Sequence, residues 1–258
     1  VNLDDTWYRI QSSATDTTSL RQEVREFLDS ERDGGLIRAQ CNSWLDGYDP
    51  AFSQRLGERG WLGLTWPVKY GGGGRSGLDR YVVVEELLAA GAPVAAHWFA
   101  ERQIGPSLLR FGNEDLKSDL LPKIARGECF FSIGMSEPDS GSDLASVRTT
   151  AHRVNGGWRV SGQKIWTSHA SRAHYMVTLC RTREPGENRH DGLSQLIIDL
   201  QAEGVDVRPI ELMNGHDHFA EVMLDDVFVP DGMLVGNEGD GWLQVNAELA
   251  YERSGPER

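Results

Sequence analysis

Two stretches of this chain carry residue types that could do chemistry together. Phe130-Phe131-Ser132-Ile133-Gly134-Met135 is an apolar run. It breaks into Ser136-Glu137-Pro138-Asp139-Ser140-Gly141-Ser142-Asp143, a loop of hydroxyls, carboxylates, one proline and one glycine. About twenty residues further on stands Gly162-Gln163-Lys164-Ile165-Trp166-Thr167-Ser168-His169. The first stretch offers backbone amides beside an apolar floor; the second offers a flat indole followed by two hydroxyls. Together they read as the two walls of one flavin pocket.

The elements that must position these walls change character along the chain. Residues 1–128 read as helical. Leu20, Val24, Phe27 and Leu28 recur at helical spacing, with Thr18 or Ser19 as the cap. A second helix is predicted from Pro50 to Arg59, ending at Gly60. Tyr81, Val84, Leu87 and Leu88 mark another, and Ile104, Leu108 and Phe111 one more. Asn113 opens a further helix, with Pro122 restarting the chain. Past Glu128 the period shortens to two. The predicted strands are Trp158–Ser161, Lys164–Thr167, Tyr175–Arg181, Ser194–Leu200, Val205–Ile210 and Ala220–Val229, with a hairpin turn at Asn155-Gly156-Gly157. After Gly241 helix returns, with Trp242, Val245 and Leu249 on one stripe. At 100° per residue, Glu252 falls about 20° from Val245 and Arg253 about 20° from Trp242. A half-buried ion pair at a helix contact would explain both equally well. The fold class is therefore α+β.

At 258 residues the chain can bury a sizeable core. Its formal net charge of −13 argues against nucleic acid and against an anionic membrane surface. No apolar run approaches the roughly 18 residues needed to span a bilayer. Val1 to Ile10 lacks a signal-peptide core. The scattered Cys41, Cys129 and Cys180 fit a reducing compartment, so the expected location is cytoplasmic, without a disulfide framework or zinc site. The start without Met, and the stop soon after a helical pattern begins, suggest a piece of a longer protein.

Met135-Ser136-Glu137-Pro138-Asp139-Ser140-Gly141-Ser142-Asp143 resembles the flavin loop of the acyl-CoA dehydrogenases, hydroxyl-Glu-Pro-x-x-Gly-Ser-Asp. Four further stretches agree in order and spacing. They are Gly112-Asn113-Glu114-Asp115-Leu116-Lys117 with Gly127-Glu128; Gly162 to Ser168; Phe228-Val229-Pro230 with Gly236-Asn237-Glu238-Gly239-Asp240-Gly241; and Glu252-Arg253. The resemblance implies a helical N-terminal domain (1–128), a β-barrel middle domain (129–240), and only the first helix of a truncated C-terminal helical bundle (241–258). It also implies FAD as cofactor, an acyl-CoA substrate oxidised to its 2,3-enoyl form, and an electron-transfer flavoprotein as acceptor. The expected assembly is a homo- or hetero-oligomer, a tetramer built as a dimer of dimers, in fatty-acid or lipid β-oxidation.

Removing a hydrogen from each of two saturated carbons needs two acceptors on opposite faces of the substrate. The cofactor takes one as hydride and a carboxylate takes the other as a proton. By the resemblance, Trp166 packs against the isoalloxazine, with Thr167 beside it, and Ser168 lies near N5. Met135 and Ser136 line the pyrimidine side, Ser142 lies near the pyrophosphate and the substrate, and Ile133 and Gly141 are cofactor-binding with them. Glu252 before Arg253 matches the minority pattern in which the base sits on this helix; most family members place it beyond residue 258. Arg253 then orients and packs against substrate.

Other features carry less. Gly71 to Gly74 reads as a flexible loop, since no strand precedes it and no Gly-Lys-Ser/Thr follows. His216-Asp217-His218 puts two imidazoles on one side of an extended stretch, but no third ligand stands at metal-site spacing, so a loop or substrate-lining role is expected and no metal. His97-Trp98-Phe99 with Glu101-Arg102 either faces the acyl pocket or forms an ion pair beside core aromatics. Two other functions fit the same residues: a flavin-dependent monooxygenase on this scaffold, and a non-catalytic subunit of a mixed tetramer.

Overall fold

A computed structural model describes the backbone of residues 17–253 and the side chains through residue 250. Helix α1 (Thr17–Asp33) buries Leu20, Val24, Phe27 and Leu28 as one stripe. It lies against α4 (Gly77–Ala89), and Glu86 of α4 accepts from Arg25 Nε at 2.7 Å and also pairs with Arg21. Helix α4 starts on a capping box, Ser76 Oγ accepting from Asp79 N and Asp79 Oδ2 from Ser76 N, both at 3.1 Å. Between them come α2 (Ser43–Asp46) and α3 (Pro50–Glu58), the latter capped by Asp49 with Pro50 in its first turn.

The Gly71–Gly74 segment is packed, which corrects the expected flexible loop. Gly73 N and Gly74 N donate to Gly63 O and Trp66 O at 3.1 and 2.9 Å, and a Cβ on Gly72 would meet Trp66 O at 2.4 Å. Helix α5 (Ala95–Phe99) runs through a π-helical turn, Ala100–Ile104, into α6 (Gly105–Phe111). Helix α7 (Glu114–Ala125) begins at Asn113, whose Oδ1 accepts from Leu116 N at 2.8 Å. It continues through Pro122, where a restart was predicted. Burial of Leu120, Leu121, Ile124 and Ala125 on its last two turns offsets the lost amide.

The strands are β1 (Phe131–Gly134), β2 (Thr150–Val154), β3 (Gly157–Ser168), β4 (Tyr175–Arg181), β5 (Leu193–Asp199), β6 (Val205–Ile210), β7 (Phe219–Pro230) and β8 (Leu234–Val235). They form one sheet in the order β6-β7-β3-β2-β4-β5-β8, with β1 parallel to β4. The sheet is mixed, and among the described residues β6 and β8 do not pair, so closure into the expected barrel is not shown. The β6 edge carries Asp206, Arg208 and Pro209, residues that discourage further strand pairing. Strand β8 spans two residues.

Strands β4 and β5 are buried on both faces, which explains their continuous apolar runs. Val177, Ile197 and Phe131 join Ile104, Leu108, Leu120 and Leu121 under the helical layer. Met176 and Ile198, pointing the other way, join Trp158, Val160 and Val222. The predicted strands at Trp158–Ser161 and Lys164–Thr167 are one strand interrupted by two register shifts. Helix α8 (Gly241–Arg253) closes the described chain and packs on β5 and α6.

Candidate functional site

The two sequence stretches meet. Strand β1 ends beside β3, where Ser132 Oγ donates to Ser168 O at 2.9 Å and Ile165 N donates to Ser136 O at 2.9 Å. Gly134 eases that approach: a Cβ there would meet Lys164 Cγ of β3 at 3.2 Å, as well as Met176 Sδ of β4 at 2.7 Å. Beyond Ser136 the chain reverses sharply, with Glu137 N to Ser140 O at 2.8 Å and Ser140 N to Glu137 O at 3.1 Å. Ser140 Oγ then holds Asp143 O at 2.8 Å, and Asp143 accepts from Ser146 Oγ and Arg189.

The turn is anchored from beneath by Glu137. This buried carboxylate accepts from Arg148 N (2.6 Å), Thr149 N (3.0 Å), Thr149 Oγ1 (2.6 Å) and Lys164 Nζ (2.8 Å). Burial pushes the Glu137 pKa up, but the Lys164 ammonium and the hydrogen bonds from Thr149 and Arg148 outweigh it and hold the group below the usual carboxylate range. Lys164 is fully buried and donates also to Met135 O at 3.1 Å. One ion pair thus ties the Met135–Glu137 segment to β3. Neither partner was singled out from the sequence; Glu137 and Lys164 stand 27 residues apart.

Within β3 the second register shift falls at Ile165-Trp166, where Trp166 adopts φ 58°. A bulky residue in that region is strained by roughly 1–3 kcal/mol. The shift turns the indole outward: Trp166 is 55% exposed, edge-on to Phe219 at 6.0 Å. Met135, Ser136, Ile133 and Ser168 are half-buried. Thr167 points inward and is buried, its Oγ1 without a hydrogen-bond partner. Gly141 and Ser142 lie exposed on the far side of the turn. The side chains of Glu252 and Arg253 lie outside the described residues.

Helix α8 lies beside this site. Its Val245 is buried with Val147, Leu179 and Leu193, and Met135, Trp242 and Leu249 pack on that cluster. Trp242 also stacks on His190, ring centroids 4.0 Å apart. A carboxylate passed over in the sequence, Glu248, is buried on α8 and accepts from Gln195 Nε2 at 3.0 Å. Its signal was a charged residue one turn after Val245 on the inward stripe.

On the helical side, a cleft of about 910 Å³ is lined by Cys41, Trp44, Leu88, Trp98, Phe99 and Arg102. Glu101 is buried and paired with Arg80 at 2.9 Å, while the Arg102 guanidinium sits 5.3 Å over the Trp98 ring. The Phe99 ring, on the cleft wall, lies 6.1 Å from that of His169, which follows Ser168.

Residues 14–128 match the acyl-CoA dehydrogenase N-terminal domain, and residues 132–227 match the acyl-CoA dehydrogenase middle domain. The chain belongs to the acyl-CoA dehydrogenase family. The acyl-CoA dehydrogenase FadE26 of Mycobacterium tuberculosis is 38% identical over 240 residues, 91% of this chain and 59% of its own. The solved Tcur3481-Tcur3483 steroid acyl-CoA dehydrogenase superposes with a TM-score of 0.81 at 34% identity, over 92% of this chain and 61% of that one. The ChsE4-ChsE5 complex from Mycobacterium tuberculosis gives 0.79 at 35% identity, over 93% and 61%. This acyl-CoA dehydrogenase chain thus spans about three fifths of the length of these relatives. The family uses FAD. An outward-facing indole beside a half-buried serine and a hydroxyl-rich turn fits a flat, polar-edged ring of that kind. Among the described residues no helix is long and apolar enough to cross a membrane.

Proposed function

We propose that the full-length protein oxidises an acyl-CoA thioester to the 2,3-enoyl-CoA with FAD as cofactor. The observation that supports this most directly is the joint between Ile165 N and Ser136 O, which brings Trp166, turned outward, beside the Ser136 end of the flavin loop. Trp166 would hold the isoalloxazine face, with Thr167 at its back and Ser168 on the N5 side. Ile133, Met135 and Ser136 would line the pyrimidine edge, and Gly141 and Ser142 the pyrophosphate, Ser142 reaching the substrate as well. Bound FAD supplies the hydride acceptor.

Glu252 is the proposed base for the α-proton, with Arg253 orienting the substrate. Position 252 lies about 20° around α8 from Val245, which is buried beside the cluster that Met135 packs on. A carboxylate held against apolar surface has its pKa raised toward a useful range. The acyl end is assigned to the aromatic cleft at Trp44, Trp98 and Phe99. Relatives described as steroid acyl-CoA dehydrogenases make a steroid side-chain thioester the first substrate to try. The proposed units are 1–128, 129–240 and the start of a third at 241, acting in the cytoplasm with an electron-transfer flavoprotein as acceptor.

The test is anaerobic bleaching of flavin in the full-length protein by a panel of acyl-CoAs. Glu252→Gln should keep its flavin and bleach at least about 100-fold more slowly. Unchanged bleaching would move the base elsewhere. Rapid reoxidation of the reduced flavin by air would favour the monooxygenase. A second reading, a non-catalytic subunit of a mixed tetramer, is favoured by the two-protein composition of the ChsE4-ChsE5 and Tcur3481-Tcur3483 structures. It predicts flavin and bleaching only after co-expression with a partner subunit.

A further inference from the structure

A second group of chemistry-bearing side chains lies where α2 meets the β6–β7 turn, and the reaction proposed above does not use it. His216 Nδ1 lies 2.7 Å, and His218 Nδ1 3.0 Å, from the same atom, Asp46 Oδ1. One ligand atom from each of the three lies within 4.8 Å of the others. The third ligand missing from the local sequence is thus Asp46, 170 residues before His216.

A plain hydrogen-bonded clamp accounts for only half of this arrangement. His216 Nδ1 is aligned with the Asp46 carboxylate. His218 is 7% exposed, and its Nδ1 makes no hydrogen bond despite standing 3.0 Å from the oxygen. A clamp would leave that buried nitrogen unsatisfied. Two donors each about 2.0–2.2 Å from one tetrahedral zinc ion lie roughly 3.3–3.6 Å apart, so the 2.7 and 3.0 Å separations here open by a few tenths of an ångström when an ion enters.

We infer that Asp46, His216 and His218 form a binding site for a zinc-class divalent cation that ties α2 to the β6–β7 turn. Two imidazoles and one carboxylate suit zinc, cobalt or nickel, whereas calcium and magnesium take oxygen ligands. The turn is held in place beforehand. Leu212 N donates to His216 O at 2.8 Å, His216 N to Asn214 Oδ1 at 3.1 Å, and His169 N to His218 O at 2.7 Å. The nearby Arg172 is paired with Asp217 at 2.5 Å, so its charge is countered locally. His216 is 47% exposed and leaves an entry path, with the fourth position open to water. The site does not depend on the dehydrogenase reading, since no flavin-loop residue belongs to it.

The full-length protein, stripped with a chelator and dialysed, should take up one zinc ion per chain, read by calorimetric titration and elemental analysis. Its melting temperature should rise with added zinc, and cobalt should give visible absorption bands. Loss of a second-shell partner costs a site 10–100-fold, so His216→Ala, which removes an exposed ligand, should weaken zinc binding by at least about 100-fold. Asp46→Asn, which conserves size, tests the carboxylate without opening the buried His218 position. Uptake well below one equivalent, or stoichiometric binding unchanged in both variants, would overturn the assignment.

Discussion

Trp166 combines two unfavourable choices, a left-handed backbone at φ 58° and an indole left 55% exposed. A core aromatic would show neither. In the sequence a lone tryptophan on a strand reads first as core, and only its setting between Lys164 and Ser168 suggested otherwise. The outward turn comes from the register shift against β7, which periodicity cannot foretell. Trp166→Gly should therefore leave the apoprotein as stable as before, or more stable by up to about 1 kcal/mol, because glycine accepts the positive φ. The same variant should hold FAD roughly tenfold more weakly through lost stacking. Denaturant melts and flavin titration check the two halves separately. A large loss of apoprotein stability would return Trp166 to the core.

At the scale of elements, local signals were read correctly at some boundaries and not at others, as Gly71–Gly74 and Pro122 show. Asn113 opens the helix expected of it, the helix predicted from Pro50 begins there, and β4 and β6 have their predicted limits. Strand β2 was missed because Thr150-Ala151-His152-Arg153-Val154 is mostly polar and exposed, so it lacks the apolar alternation that marks a strand. The tie between Glu137 and Lys164 was missed for a different reason. Both residues belong to stretches that drew attention, but nothing local says that they face each other across a buried contact. Glu137→Gln strands the Lys164 ammonium and should cost about 3–5 kcal/mol. Adding Lys164→Met should recover part of that loss, since the double variant buries no unpaired charge. Additive losses in a double-mutant cycle would show that the two side chains act independently. The flavin loop should loosen with the single variant, seen as faster FAD loss on dilution.

The whole molecule joins a helical layer to a mixed sheet, and two of its properties belong to no single element. The first is acid sensitivity. His97 is buried under the helical layer with Ser53 Oγ at 2.8 Å, and burial lowers its pKa to about 4, with Glu101 opposing. Above an unfolded pKa of about 6.5, both states leave it neutral and stability is full. As pH falls toward 4 the unfolded chain takes up a proton that the folded one refuses, so about 3 kcal/mol is lost over that window. His97→Gln should flatten the stability profile between those limits, and an unchanged slope in denaturant melts would assign the sensitivity to other groups. The second property is one-sidedness. Trp166, Gly141 and Ser142 are exposed on the described chain, so a ring lying on the indole gains one covered face from it and needs another surface for the second. Under the proposed function, a second subunit is one source of that surface. If the second subunit supplies it, flavin should travel with the assembled form. Size-exclusion of the full-length protein, alone and co-expressed with a second acyl-CoA dehydrogenase subunit, should show visible flavin absorbance in the oligomer and a flavin-poor monomer. Equal flavin per chain in both fractions would mean that each chain closes its own pocket, and would leave assembly with no part in holding the cofactor.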